Sequence, residues 1–100
     1  TEVVSSPNDQ HLPLQWGIEN ANIYEAWDIC RGLTNIKIGI LDSGIDITHE
    51  DLSGRVDTTL SISFSSTYAD PLNDEAGHGT AVAGIIGAST HNEDGISGIC

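Results

Sequence analysis

The hydrophobic residues between positions 20 and 32 recur every three or four residues, which predicts an amphipathic helix. Asn20 is a suitable N-cap for this helix, and Gly32 is a suitable C-terminal stop. The apolar face consists of Ile23, Ala26, Trp27 and Cys30. Residues 1–15 show little periodicity, so we expect an irregular arm before the helix.

Two later segments have the pattern of strands. Residues 36–41 are almost wholly apolar and rich in branched side chains, which is typical of a strand buried on both faces of a parallel sheet. Residues 60–64 alternate with a period of two, as a second strand would. Residues 65–77 are polar and include a proline, which predicts a loop, and residues 78–88 predict a second helix.

Composition narrows the function classes. The chain has 100 residues with 15 acidic and 3 basic side chains, a net charge of -12, so we expect no nucleic-acid partner. This length is that of one domain or less. No apolar run approaches the roughly 20 residues of a membrane span, and the first residues lack the pattern of a signal peptide. The spacing of Cys30 and Cys100 matches no disulfide framework or metal site, so we interpret both as free thiols.

Two motifs carry candidate chemistry. Asp42 stands where the apolar segment 36–41 meets a glycine turn, and His78 stands where glycine-rich chain begins the second predicted helix. A hydroxyl nucleophile needs a base to take its proton, and the base needs a third group to fix its tautomer. A histidine suits the role of the base, and an aspartate earlier in the chain suits the role of the group that fixes its tautomer. Each motif alone is more often a turn or a loop.

A second interpretation of the acidic residues is a transition-metal site. Asp42, Asp46, His49 and Asp51 offer the right ligand types within a short stretch. That interpretation leaves the His78 segment without a role.

The motifs and their surroundings resemble the amino-terminal part of the subtilisin-like serine peptidases, the subtilase family. The resemblance extends from about Asn8 to Cys100 and implies an α/β, three-layer fold in which helices flank a parallel sheet. Residues 1–15 would be the arm, and residues 16–100 would be the start of the catalytic domain's core. The matching segments are Gln15-Trp16-Gly17, Ala26-Trp27-Asp28, the run from Lys37 to Asp46, the run from His49 to Val56, the run from Gly77 to Gly84 and Gly95-Ile96-Ser97-Gly98.

The resemblance implies a serine endopeptidase that hydrolyses polypeptides. His78 would be its general base, and Asp42 would orient that base. The nucleophilic serine and the oxyanion-hole amide lie far downstream in the family, and neither Ser43 nor Ser97 has the setting of a nucleophile. We therefore expect residues 1–100 to be inactive alone. A non-catalytic pseudo-peptidase and a calcium-dependent interaction module are the alternatives.

The resemblance also implies structural calcium. In many relatives the ligands are an arm aspartate, the aspartate nine residues after the catalytic one, and an asparagine with carbonyls in the loop after the histidine helix. Calcium prefers six to eight oxygen ligands of this kind. The corresponding residues are Asp9, Asp51 and Asn92, with carbonyls near Ser89, Asp94 and Ile96. Solvated surface carboxylates are the alternative interpretation.

Three further expectations follow from the family topology. The strand that comes after residue 100 would lie between segments 36–41 and 60–64, so we expect these residues to need the rest of the enzyme or another copy of the chain as a partner. Asp70, Asp74 and Glu75 would lie near the substrate cleft and give a mild preference for basic residues on the non-prime side of the substrate, and a solvated loop is the alternative. We expect a secreted or cell-surface protein, and an intracellular one stays open.

Overall fold

A computed structural model describes residues 7–100, and the first part of the predicted arm, residues 1–6, lies outside this range. The described chain contains three α-helices and two short 3-10 helices. The α-helices are α1 (Trp16–Asn20), α2 (Ile23–Trp27) and α3 (His78–Gly87). The 3-10 helices are Leu12–Leu14 and Glu50–Leu52.

One small core joins the arm, α1 and α2. Leu12, Ile18 and Trp27 are buried against one another. The Trp27 indole N–H donates a hydrogen bond to the carbonyl of Ile99 at 2.7 Å, and the Tyr24 ring meets Trp27 edge-on with centroids 5.6 Å apart. This core therefore ties residues 12–27 to the segment at 97–100.

The single helix predicted between Asn20 and Gly32 is wrong. Asn20 is the last residue of α1, and the N-cap of α2 is Asn22, which has a φ of 56°. A left-handed residue cannot continue a right-handed helix, and asparagine adopts that conformation more easily than most residues. Because α2 ends at Trp27, Cys30 lies outside the helix and is exposed.

The two predicted strands are also a correction, because residues 7–100 contain no strand. Segments 36–41 and 60–64 stand unpaired, and their apolar side chains are exposed, Leu41 to 95% and Phe64 to 91%. A strand exists only when its backbone groups bond to a neighbouring strand, and neither segment forms such a pairing within residues 7–100. The sequence pattern shows which segments are suited to strand pairing, but it does not show whether a partner strand is present.

The second predicted helix is confirmed. Helix α3 begins at His78 and packs on the 3-10 helix Glu50–Leu52, where Leu52, Ala83 and Ala88 are buried. The predicted loop at 65–77 is confirmed as well, since it contains neither helix nor strand. After α3 the chain turns back, and Ile99 N–H donates to the carbonyl of Ile86 at 2.9 Å.

Candidate active site

Asp42 and His78 form a direct pair. Nδ1 of His78 lies 2.8 Å and 2.9 Å from the two carboxylate oxygens of Asp42. The Asp42 side chain is 16% exposed, whereas that of His78 is 73% exposed. The carboxylate therefore fixes Nδ1, and Nε2, which has no partner within the described chain, is left on the open side of the ring.

Glycine makes this approach of turn and helix sterically allowed. A Cβ added to Gly79 would overlap the carbonyl oxygen of Gly44 and lie 3.2 Å from Cβ of Asp42. Gly44 has a φ of 124°, and a Cβ there would meet the carbonyl of Asn73. The glycines of the two motifs thus allow the backbones beside Asp42 and His78 to touch.

A third acidic residue, Asp74, joins the two motifs, and the sequence interpretation missed this role. Its Oδ1 accepts hydrogen bonds from the Ser43 hydroxyl at 2.7 Å and the Gly77 N–H at 2.9 Å. Its Oδ2 accepts from the Thr80 N–H at 2.8 Å and the Thr80 hydroxyl at 2.6 Å. We call Asp42, Ser43, Asp74, His78 and Thr80 the relay cluster. A carboxylate shortly before a helix with threonine at its third position is a capping pattern that would have revealed this role.

The hydrogen bonds of the relay cluster shift its protonation. The hydrogen bond from the His78 ring, together with that from the Ser43 N–H, lowers the pKa of Asp42. The hydrogen bond to Asp42 raises the pKa of His78, and the negative charges of Asp42 and Asp74 act in the same direction. The hydrogen bond from the Thr80 hydroxyl is the main cause that lowers the pKa of Asp74. An ionised aspartate held against a histidine is suited to stabilising an imidazolium.

The serines of the described chain do not reach Nε2 of His78. Ser97 is fully buried and donates its hydroxyl to the carbonyl of Gly98 at 3.2 Å. The Ser43 hydroxyl is occupied by Asp74 and by the N–H of Gly79. No hydrogen bond between a serine hydroxyl and His78 occurs within residues 7–100.

The predicted calcium residues meet at the loop after α3. Asp9 and Asp51 are only 3% and 2% exposed. Asp9 accepts hydrogen bonds from the N–H groups of His91 at 2.9 Å and Asn92 at 3.4 Å. Asp51 accepts from the Asn92 side-chain amide at 2.9 Å and from the Ile96 N–H at 3.1 Å. We call Asp9 and Asp51, with the loop 88–97 that they hold, the loop clamp.

The loop clamp offers oxygen atoms, which are the ligand type that calcium prefers. Each of the four carboxylate oxygens of Asp9 and Asp51 accepts one hydrogen bond from an N–H group, and each oxygen has a second lone pair. Ser89 takes part through its N–H, which donates to the backbone carbonyl of Asp51 at 2.7 Å, and the Asp94 carboxylate accepts from the N–H of Gly95 at 3.0 Å. The structure brings the predicted residues together around a loop held by hydrogen bonds.

The alternative transition-metal site is wrong. Asp46 accepts hydrogen bonds from the N–H and hydroxyl of Thr48, and Nδ1 of His49 accepts from the N–H of Asp51 at 3.2 Å. No group of three or more histidine, cysteine or acidic side chains is placed to hold a metal ion anywhere in the described range. These residues build turns instead.

Comparison with known proteins decides the family. The model of the subtilase family matches residues 34–100, which include both Asp42 and His78. The chain belongs to the subtilase family. The α/β class expected from the resemblance is therefore that of the family, although the described residues contribute only helices to it.

The similar proteins include a serine proteinase, an extracellular protease and thermitase. The chain is 39% identical over 95 residues to the thermophilic serine proteinase of Bacillus sp. strain AK1, covering 94% of this chain and 23% of that protein. It is 47% identical over 87 residues to the minor extracellular protease Epr of Bacillus subtilis, covering 85% and 12%. It is 38% identical over 94 residues to thermitase of Thermoactinomyces vulgaris, covering 93% and 32%. The chain thus spans between about an eighth and a third of the length of these relatives.

Proposed function

We propose that this chain supplies the general base and its orienting carboxylate to a serine endopeptidase. The observation that carries the proposal is the hydrogen bonding of the His78 ring, whose Nδ1 is held by Asp42 while Nε2 faces outward. A histidine so held accepts the proton of a hydroxyl nucleophile at Nε2 and later delivers it to the leaving amine. The nucleophilic serine and the oxyanion-hole donor belong to sequence beyond these residues.

Peptide hydrolysis by the full-length protein tests this proposal. We expect His78→Ala to abolish turnover of an unstructured polypeptide substrate while the protein keeps its thermal unfolding temperature. His11→Ala is the matched control, because His11 is exposed and its side chain makes no hydrogen bond within the described chain. Turnover that survives in the His78→Ala protein would contradict the proposal.

The alternative is a pseudo-peptidase that binds polypeptides without cutting them. It predicts that the wild-type full-length protein binds a peptide with no hydrolysis, and that a serine is absent from the nucleophile position of the complete sequence. Detectable peptide hydrolysis that is lost in the His78→Ala protein excludes the pseudo-peptidase. We favour the peptidase because Asp42 holds Nδ1 of His78 and leaves Nε2 of an exposed ring without a partner within residues 7–100, as a general base requires.

We propose that residues 1–100 alone do not hydrolyse peptides and pair with further chain. No described serine reaches His78, and segments 36–41 and 60–64 expose apolar side chains with unpaired backbone. Exposed strand edges of this kind associate with other chains. The partner is the remainder of the enzyme or a second copy of this chain, in a parallel sheet flanked by helices. A monodisperse 10.6 kDa monomer in solution would contradict this expectation.

Calcium stays a prediction at the loop clamp. Asp9 and Asp51 would bind the ion through the carboxylate lone pairs that their N–H partners leave free. If it occurs, calcium raises the unfolding temperature of the full-length protein, EGTA lowers it, and Asp51→Asn removes both effects. Equal unfolding temperatures in calcium and EGTA would exclude the site, and the clamp would then be purely hydrogen-bonded. Tight binding of calcium by residues 1–100 without any complementing chain would support the calcium-dependent interaction module.

We propose an extracellular or cell-surface location. The names of the relatives include a minor extracellular protease and a cell wall-associated protease of Bacillus subtilis. Within the described part of the chain, no helix is long and apolar enough to cross a membrane. Cys30 and Cys100 are free thiols, which leaves an intracellular location open. Fractionation of cells that express the native gene tests the location.

A further inference from the structure

Asp74 connects the turn that carries Asp42 to the helix that carries His78. Each of its carboxylate oxygens accepts two hydrogen bonds, one pair from the Ser43 hydroxyl and the Gly77 N–H and the other from the backbone and hydroxyl of Thr80. The distances lie between 2.6 Å and 2.9 Å. An ionised carboxylate is needed here, because all four partners are donors.

The partners of Asp74 extend this connection in both directions. The Ser43 hydroxyl also accepts a hydrogen bond from the N–H of Gly79 at 3.0 Å, which joins the turn to the residue after His78. The Thr80 hydroxyl also accepts from the N–H of Asp46 at 2.9 Å, which joins the helix to the chain after the turn. The first turn of α3 is therefore bonded to residues 43–46 through groups that Asp74 orients.

We propose that Asp74 is a positioning residue that holds the His78 ring in register with Asp42. This rests on the proposed peptidase function. Asp74 acts through Ser43 and Thr80, and it makes no hydrogen bond to the ring. Loss of the hydrogen bonds lets the start of α3 shift relative to the turn, and a displacement of about 1 Å at a catalytic group lowers turnover about a hundredfold.

The geometry separates this role from recognition of a basic substrate, the role that the sequence suggested for the loop. Asp74 is half-buried, and its oxygens are directed at the start of α3 and at Ser43. Asp70 accepts a hydrogen bond from the N–H of Leu72 at 3.0 Å, and Glu75 is exposed with no hydrogen bond within the described chain. Among these three carboxylates, only Asp74 accepts hydrogen bonds from Ser43 and Thr80.

Steady-state kinetics of the full-length protein form the first half of the test. We expect Asp74→Asn to lower kcat by about 10-fold to 100-fold and to change KM less than about twofold. The asparagine amide nitrogen replaces one of the two oxygens and so faces either the Gly77 N–H or the Thr80 N–H donor to donor, and the four hydrogen bonds cannot all persist. Glu75→Gln removes the same charge from the next residue, and we expect it to leave kcat within about twofold.

Nuclear magnetic resonance of the histidine ring nitrogens forms the second half, because it does not depend on proteolysis. The charged groups that act on His78 are Asp42 and Asp74, and both raise its pKa. Asp74→Asn is expected to lower the pKa of His78 and to weaken the preference for a proton at Nδ1, while Glu75→Gln changes neither. If the wild-type enzyme proves inactive, the peptidase proposal fails, and this titration still tests the positioning role.

A pair of threonine variants guards against a folding failure of Asp74→Asn. Thr80→Ser keeps the hydroxyl that bonds Asp74 and should retain kcat within about threefold of wild type, while Thr80→Val should lose about 10-fold. A merely structural role would lower the unfolding temperature of Asp74→Asn and Thr80→Val without changing kcat or the pKa of His78 in the folded protein. That result, or equal kcat for the valine and serine variants, would overturn the inference.

Discussion

The relay cluster and the loop clamp both contain aspartates, but the aspartates of the two regions have different hydrogen-bond partners. In the loop clamp, Asp9 and Asp51 are buried, and N–H groups take all their carboxylate oxygens. In the relay cluster, the carboxylate of Asp42 is directed at the His78 ring, and the ring remains 73% exposed. The carboxylates of the clamp therefore hold a loop in place, whereas the cluster ends in the exposed ring of His78. What separates a structural aspartate from a catalytic one is the partner that its oxygens meet.

Substitution of Asp42 should separate the two regions most strongly. Asp42→Asn in the full-length protein is expected to lower kcat by about 10⁴-fold, a magnitude taken from serine peptidases with the same triad, because the amide favours the wrong tautomer of His78. The variant should stay folded, because asparagine has nearly the same shape as aspartate and its side-chain oxygen can still accept the hydrogen bond from the Ser43 N–H. Asp9→Asn in the clamp should keep kcat within about threefold. Similar kcat losses for the two variants would remove the distinction.

Substitution of Asp51 should have the reverse effect. Asp51→Ala leaves the Asn92 amide and the Ile96 N–H without their acceptor in a buried site, which costs about 2–4 kcal/mol of unfolding free energy. Glu50→Ala is the matched control from the same 3-10 helix, because Glu50 is exposed. Urea denaturation of the full-length protein measures both values. A loss below about 0.5 kcal/mol for Asp51→Ala would show that the clamp does not hold the loop.

A glycine comparison tests the close approach within the relay cluster. Gly79→Ala places a methyl group against the carbonyl of Gly44 and should cost about 1–3 kcal/mol of unfolding free energy. Gly17→Ala in α1 meets nothing within 4 Å and should stabilise by about 0.4–1 kcal/mol. Equal effects of the two alanines, measured in urea, would mean that the turn and α3 do not touch.

The pH dependence of turnover is the smallest expected effect. The pKa of His78 is raised above its ordinary value of 6.5, chiefly by the hydrogen bond to Asp42. The base acts only when neutral, so the acid limb of kcat/KM should lie above pH 6.5. The stabilising contribution of the Asp42–His78 pair is present below the unfolded-state pKa and is lost as pH rises through the folded-state pKa. An acid limb below the ordinary histidine value would contradict the geometry.

The sequence predicted the proximity of Asp42 and His78 better than it predicted the elements around them. Asp42 and His78 lie in contact as their motifs imply, because glycine-rich turns specify local backbone approach. The strands at 36–41 and 60–64 were not realised, because a strand depends on a neighbour that the described chain does not supply. The helix near Asn20 was misjudged because the conformation of one residue, Asn22, overrides apolar spacing.

Asp74 shows what the sequence interpretation missed within the site itself. Its position in a polar loop suggested a solvated charge near the substrate, yet its oxygens are bonded to the start of α3. Net charge and loop composition do not tell where the carboxylate of Asp74 points. Its orientation follows from hydrogen bonds to Ser43 and Thr80, which only the folded chain brings together. An acidic residue a few positions before the start of a helix is better interpreted as an acceptor for the N–H groups of the first helical turn than as a substrate-binding group.

Covalent labelling of the full-length protein with a fluorophosphonate tests the central claim most directly. This probe reacts with a serine hydroxyl only when a neighbouring histidine activates it. The account predicts labelling of one serine outside residues 1–100 in the wild type and its loss in both Asp42→Asn and His78→Ala. Undiminished labelling in those variants, or no labelling of the folded wild type, would show that Asp42 and His78 do not form the base of a serine peptidase.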